Sequence, residues 1–250
     1  MKKKQISIIL LGFILLLFWY ATFKLSCISI IIPFIIFIII FKSTYELSVT
    51  KKRCLVNCYF KKESFLYKFF TKTFFIIILS FINSLILTTI LVLNIVTFNF
   101  FDFIILFFDI FFILYLYNKF INNNSLNENI NNPVTKRGVA LINSFILIFV
   151  FLFFNIFQTP PSYINNDLVT TIHQVSNKIY SNCYFIDYIV SLSNEIVALK
   201  WWFMIKFSIN FSNKYYLKEI IWIVYLLGNY LMVYAFSKYI LEILNFRRFK

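Results

Sequence analysis

The sequence predicts an all-α, polytopic integral membrane protein with about six transmembrane helices and with both termini on the inner side. Three observations support this fold class. Hydrophobic residues make up 61% of the chain, well above the roughly 45–50% of soluble domains. Residues 74–117 contain neither lysine nor arginine, and this stretch is twice as long as the ~20 residues that one span requires. Lysine and arginine are concentrated in alternate loops, as in multispanning proteins.

The first apolar run, residues 6–23, follows a lysine-rich leader at 2–4. A cleaved signal peptide has the same pattern, but this run ends in bulky residues at 18–20 and no small-x-small cleavage motif follows. We therefore interpret it as the first span. After a short turn at 24–29, residues 30–41 begin the second span. One long re-entrant excursion is the alternative, because both runs are close to the lower length limit for spanning.

The long central stretch predicts a helical hairpin. Asn94, Thr97 and Asn99 are the only cluster in this stretch polar enough to turn the chain. We place one span at about 74–93 and its antiparallel partner at about 100–117.

The rest of the chain predicts one more span on each side of a polar section. The Asn-rich segment 118–137 is expected to be a flexible inner loop, and 139–157 is the fifth span, so that five spans occupy residues 1–157. Segment 158–218 has two one-faced helical patterns, too polar to cross a bilayer, which predict amphipathic helices at the outer surface. Residues 219–250 contain the last span and a basic tail.

The net charge of +14 would favour nucleic acid in a soluble protein, but topology accounts for it here. Most of the 24 basic residues lie in the leader, in loops 42–72 and 118–137, and in the tail. The turn at 24–29 and segment 158–218 hold few of them. The positive-inside rule then puts both ends inside. We expect the lipid bilayer and other membrane subunits as partners, and no nucleic acid.

Cysteine and histidine give no sign of metal or redox chemistry. We interpret Cys27, Cys54, Cys58 and Cys183 as ordinary apolar thiols rather than a disulfide framework. His173 is the only histidine, which excludes a bis-His haem site and multi-His copper or zinc centres. No nucleophile elbow, phosphate-binding loop or zinc-protease motif occurs. We therefore predict no catalytic residue, no cofactor and no metal site.

Asp109 marks a candidate intramembrane polar site. It is predicted near mid-membrane, level with Asn83 and Ser84 of the preceding span, and Asp102 lies seven residues earlier on the same face. An ionised carboxylate at the bilayer centre costs about 2.5–3.5 kcal/mol, so it should face protein or water. One hypothesis is a proton or ion pathway with Asn83 and Asp102. The other, which we favour because no basic side chain lies in a span at matching depth, is a protonated acid hydrogen-bonded to Asn83, Ser84 or a partner subunit.

The basic loop at 42–72 contains a set of charged and aromatic residues, namely Tyr45, Glu46, Lys51, Lys52, Arg53, Lys61, Lys62, Phe65 and Lys68. Their spacing is similar to that in the docking loop of type-2 ATP-binding-cassette export permeases, including haem-exporter-like ones. Members of that family have six spans, both ends inside, and re-entrant outer helices between spans five and six. The resemblance implies that Glu46, and segment 54–65 with Lys61 and Lys62, contact an ATPase subunit.

The composition indicates a very AT-rich genome, since the chain has 35 Phe and 16 Tyr but only 3 Gly and 4 Pro. Such a bias is typical of some mitochondrial genomes and of low-GC bacteria. We predict a non-catalytic membrane subunit of a larger complex, in a mitochondrial inner membrane or a bacterial cytoplasmic membrane. The alternative is the permease subunit of an ATP-binding-cassette exporter.

Overall fold

The computed structural model describes residues 3–51, 73–122, 128–156, 161–165, 167–176, 182–210 and 215–245, and within these ranges the fold is all-helical. The helices are α1 (Lys3–Thr22), a 3-10 turn (Cys27–Ile30), α2 (Ile31–Lys51), α3 (Thr73–Val96), α4 (Phe100–Asn122), α5 (Glu128–Ile156), α6 (Leu168–Ser176), α7 (Tyr184–Asn210) and α8 (Tyr215–Asn245).

Four apolar helical segments in the described part of the chain are long enough to cross a membrane: Cys27–Thr50, Phe74–Val96, Phe100–Ile121 and Pro133–Phe151. A shorter apolar helix, Ser7–Thr22, precedes them. These helices expose many large apolar side chains on the outside of the bundle, which suits lipid rather than water. The protein is therefore an integral membrane protein with several spanning helices.

The break between α3 and α4 falls where the polar residues predicted it. The Thr97 hydroxyl donates to the Asn94 carbonyl at 2.9 Å and ends α3. The Asn99 backbone N–H donates to Asp102 Oδ2 at 2.8 Å, which is the reach-back contact of a capping box. Asp102 therefore stabilises the first turn of α4.

Helix α8 is the centre of the bundle. Its residues from Met232 to Leu244 are all buried except Tyr234, which is partly so, and it packs against α1, α2, α3, α5 and α7. The Tyr239 hydroxyl donates to the Gly12 carbonyl of α1 at 3.1 Å. A Cβ at Gly12 would meet the end of the Ile243 side chain, so α1 and α8 lie close together at this point.

The two helices of the predicted hairpin have different main neighbours. Helix α3 packs against α2 through hydroxyl contacts, in which Thr44 bonds Ser84 and Ser80 donates to Ser48 at 3.1 Å. Helix α4 packs mainly against α5, and the ring of its Phe103 lies 4.9 Å from that of Tyr20 in α1. A short turn connects α3 to α4 as predicted, but α3 packs mainly against α2 rather than against α4.

A disulfide joins Cys27 to Cys183 across 156 residues of sequence. The interpretation of these two cysteines as free apolar thiols was wrong. The backbone N–H of Asn182 also donates to the Lys24 carbonyl at 3.3 Å. The turn after α1 and the beginning of α7 thus lie at one end of the bundle, which we call the disulfide end.

The Asn-rich connection is shorter than predicted. Helix α4 continues to Asn122 and α5 already begins at Glu128, with Pro133 inside the helix. Residues 123–127 lie outside the described part of the chain. In segment 158–218 the two one-faced patterns correspond to α6 and α7, and α7 packs on α3, where the Ser193 hydroxyl donates to the Leu93 carbonyl at 3.0 Å.

Candidate functional sites in the bundle

Four charged side chains meet at the end of the bundle opposite the disulfide, and we call them the Glu242 cluster. Lys42 and Glu46 lie one turn apart on α2, Lys136 is on α5 and Glu242 is on α8. Lys136 Nζ lies 2.8 Å from Glu242 Oε2 and 3.1 Å from Glu46 Oε2. Lys42 Nζ lies 3.4 Å from Glu242 Oε1. The cluster therefore ties three helices together at one point.

Burial makes the Glu242 cluster energetically important. The side chains of Glu242 and Lys136 are 0% and 6% exposed. A charge in such a place is tolerated only when it is paired, because it has lost its water. The two lysines and two glutamates balance each other, so the cluster stabilises one arrangement of α2, α5 and α8 and disfavours others.

A small recess adjoins the cluster. It has a volume of about 10 Å³ and is lined by Ser43, Glu46, Leu47, Pro133, Lys136, Arg137 and Lys238. A volume of this size holds about one water molecule. It is too small for a substrate.

Asp109 belongs to a second buried polar group, the Asp109–Asn143–Ser237 triad. The Asn143 amide donates to Asp109 Oδ2 and to Ser237 Oγ, both at 2.9 Å, and the Ser237 hydroxyl donates to the Val233 carbonyl at 2.8 Å. All three side chains are buried. The triad links α4, α5 and α8.

The structure does not bring the predicted intramembrane residues together. Asn83 is exposed on α3, and Ser84 bonds Thr44 instead of Asp109. Asp102 lies in the capping turn of α4. The predicted pairing of Asp109 with Asn83 or Ser84 was wrong, because α5 rather than α3 is the neighbour of α4.

A proton relay requires a second titratable group within hydrogen-bond reach of Asp109. Among the described residues, its hydrogen bonds include no second titratable side chain. Lys136 precedes Asn143 by seven residues, which is about 10 Å along a helix. The fully buried Val139 and Ala140 lie between them on α5. This arrangement fits a structural hydrogen bond inside the bundle.

Of the residues that the docking-loop resemblance singles out, only Glu46 lies in a described site. Its carboxylate bonds Lys136 within the same chain. Lys61, Lys62 and segment 54–65 lie outside the described residues. Sequence reasoning missed the pairing of Lys136 with Glu46 and Glu242, although the i, i+4 spacing of Lys238 and Glu242 in the last helix was a signal of charges there.

No protein-family model, curated protein or solved structure matches this chain. Within the described residues, no group of His, Cys, Asp and Glu side chains could hold a metal ion.

Proposed function

We propose that this protein is a non-catalytic integral membrane subunit of a larger complex, and that it contacts a helix of a partner subunit through α4. The observation behind the proposal is an aromatic stripe on the outside of α4. Phe101, Phe108 and Tyr115 are 67%, 66% and 59% exposed, and Ile104 and Phe111 lie between them on the same face.

The spacing of the α4 stripe suits helix–helix packing. Its members follow one another at three and four residues over two heptads, the pattern with which one helix packs against another. Four of the five are aromatic, and aromatic side chains are enriched in protein interfaces. By contrast, Ile78, Ile82 and Ile86 form an aliphatic row on the exposed side of α3, beside the exposed Phe81.

The interior of the bundle supports a structural role. Lys136 is paired with Glu46 and Glu242, and Asp109 is hydrogen-bonded to Asn143. These contacts join helices of the same chain. A site for chemistry would instead need polar groups grouped around a cavity large enough for a substrate.

The proposal places the chain in a mitochondrial inner membrane or a bacterial cytoplasmic membrane, as a six-span protein with both termini inside. Four described segments are long and apolar enough to span, and we assign the two further spans to α1 and α8. The distribution of basic residues sets its direction.

The test compares a double variant on α4 with a triple variant on α3, and both keep the surface apolar. Phe101→Leu with Phe108→Leu removes two rings of the stripe, while Ile78→Leu, Ile82→Leu and Ile86→Leu is the matched control on α3. Native gel electrophoresis of gently solubilised source membranes measures the size of the assembly. We expect the wild type and the α3 variant to migrate far above the 30.1 kDa of one chain, and the α4 variant to be released.

A wild-type protein that purifies as a monodisperse monomer would refute the subunit proposal. Unchanged assembly of the α4 variant would refute the assignment of the contact to α4.

The second candidate is the permease of an ATP-binding-cassette exporter. It is favoured by the position of α6 and α7, which lie in sequence between α5 and α8, with the beginning of α7 at the disulfide end. Charge reversal by Lys61→Glu with Lys62→Glu should then release a co-purifying ATPase. Absence of any nucleotide-dependent activity in the purified complex would contradict this candidate.

A further inference from the structure

The recess beside the Glu242 cluster carries an excess of positive charge. Its charged lining consists of three cations and one carboxylate, namely Lys136, Arg137, Lys238 and Glu46. The Glu46 carboxylate is already bound by Lys136 at 3.1 Å. Arg137 is half-buried and pairs with no carboxylate among the described residues. The lining therefore favours an anion at the mouth of the recess.

The excess charge comes from two helices. Arg137 lies on the α5 side of the recess and Lys238 on the α8 side. Lys238 is 6% exposed, and its Nζ lies 5.3 Å from the ring centre of Tyr234. An aromatic ring attracts a cation but carries no net charge to neutralise it. An anion at the mouth thus meets positive charge from α5 and from α8.

The recess lies at the level of the lipid headgroups. The spanning segment in α2 ends at Thr50, and the one in α5 begins at Pro133. Glu46 and Arg137 each lie about one helical turn from these limits. The headgroups flank the ~30 Å hydrocarbon core, so they lie at the ends of spanning segments. A long arginine side chain at this depth reaches the headgroup layer.

Arg137 adjoins a lipid-facing stripe of α5. Val134, Leu141 and Phe145 are 38%, 37% and 62% exposed. Arg137 shares their face, because it comes three residues after Val134 and four before Leu141. Beside it, a Cβ at Gly138 would meet no described atom within 4 Å. An acyl chain can therefore lie over Gly138 and along this stripe while its headgroup contacts Arg137.

We propose that this site binds the phosphodiester headgroup of an anionic phospholipid, with Arg137 and Lys238 at the phosphate and an acyl chain over Gly138. A guanidinium binds a phosphate through two parallel hydrogen bonds. Basic pockets between spanning helices on the inner side bind anionic headgroups in other membrane proteins. The recess holds about one water molecule, so the phosphate lies at its mouth. The site does not depend on the subunit role proposed above.

The binding test uses the full chain in nanodiscs of phosphatidylcholine with an increasing fraction of phosphatidylglycerol. Native mass spectrometry counts the phosphatidylglycerol molecules that remain bound. We expect Arg137→Gln to weaken this binding about tenfold, which corresponds to one hydrogen-bonded contact with a charged group. Lys119→Gln is the matched control, because it removes the same charge from the exposed surface of α4 and should leave the binding unchanged.

A second variant tests the acyl path without changing any charge. Gly138→Leu places a side chain in the open space beside Arg137 and should also weaken phosphatidylglycerol binding. Leucine favours a helix more than glycine does, so this variant should be at least as stable as the wild type in phosphatidylcholine alone. Phosphatidylglycerol should raise the unfolding temperature of the wild type more than that of either variant, since it binds the folded wild type more tightly.

Four results would overturn the proposal. Equal weakening by Lys119→Gln and Arg137→Gln would show a general attraction to the charged surface. An Arg137→Gln protein less stable than the wild type in phosphatidylcholine alone would show that Arg137 has a partner within the fold. Gly138→Leu with wild-type affinity would exclude the acyl path. Displacement of phosphatidylglycerol by millimolar inorganic phosphate would identify soluble phosphate as the ligand instead of a lipid.

Discussion

Replacing Lys136 with methionine tests how strongly the Glu242 cluster stabilises the bundle. The change keeps a long apolar side chain but leaves Glu242, which is fully buried, with Lys42 at 3.4 Å as its cationic contact in the cluster. Removing one partner of a buried ion pair typically costs about 3–5 kcal/mol. Lys42 still offsets part of the Glu242 charge, so we expect a loss of about 3 kcal/mol, at the lower end of that range.

The measurement is the free energy of unfolding in mixed micelles, obtained by titrating a denaturing detergent. Lys119→Met is the control, because Lys119 is exposed on α4 and should change stability by only a small fraction of that loss. The double variant Lys136→Met with Glu242→Met removes both buried charges and should recover most of the stability. A loss below about 1 kcal/mol in Lys136→Met, the size of an ordinary substitution, or a double variant less stable than the single one, would refute this reasoning.

Three further predictions concern the other links between helices. Removal of the Cys27–Cys183 bond by serine substitution at both positions should lower the free energy of unfolding by about 2–4 kcal/mol, measured with and without reductant; equal stability in both conditions for the wild type would contradict the bond. Asp109→Asn keeps an oxygen that accepts a hydrogen bond from Asn143, so assembly and the activity of the complex should be retained. Asn143→Leu leaves Asp109 buried without its donor and should lower the free energy of unfolding by about 1–3 kcal/mol. A large loss of ion-coupled activity in an assembled Asp109→Asn complex would favour the pathway hypothesis. Labelling of intact vesicles with a membrane-impermeant thiol reagent should reach Cys27, which is exposed, after reduction, but not a cysteine placed at Asn122. Labelling of both from one side would disprove the proposed topology.

Local sequence was sufficient to locate most of the helices. The break at Asn94, Thr97 and Asn99 lies between α3 and α4 as predicted, because polar side chains there satisfy the free backbone groups at the helix ends. Helix α5 begins earlier than predicted, since residues 128–132 form helix ahead of Pro133. Pro133 is the sixth residue of α5 and lacks the N–H that would bond the carbonyl four residues earlier, but the helix continues through it.

The candidate sites were predicted less well than the helices. Asp109 was recognised as buried from its position in an apolar helix, but its partner was taken from α3, the helix nearest in sequence. The actual partner, Asn143, lies on α5, and Glu46 bonds Lys136 instead of remaining available on a loop surface. Several helices carry a polar residue at the same level of the membrane, and the spacing of residues within one helix does not show which of them is the partner.

By itself, the sequence determined that this protein is helical, apolar and inserted in a membrane, because those properties follow from side-chain chemistry and from backbone hydrogen bonds within each helix. Tertiary structure alone decided that α8 is central, that Cys27 meets Cys183 and that Lys136 meets Glu242. Each of these contacts joins residues separated by about a hundred positions or more, so it depends on which helices become neighbours. That choice is made by packing across the whole bundle, where no local pattern records it.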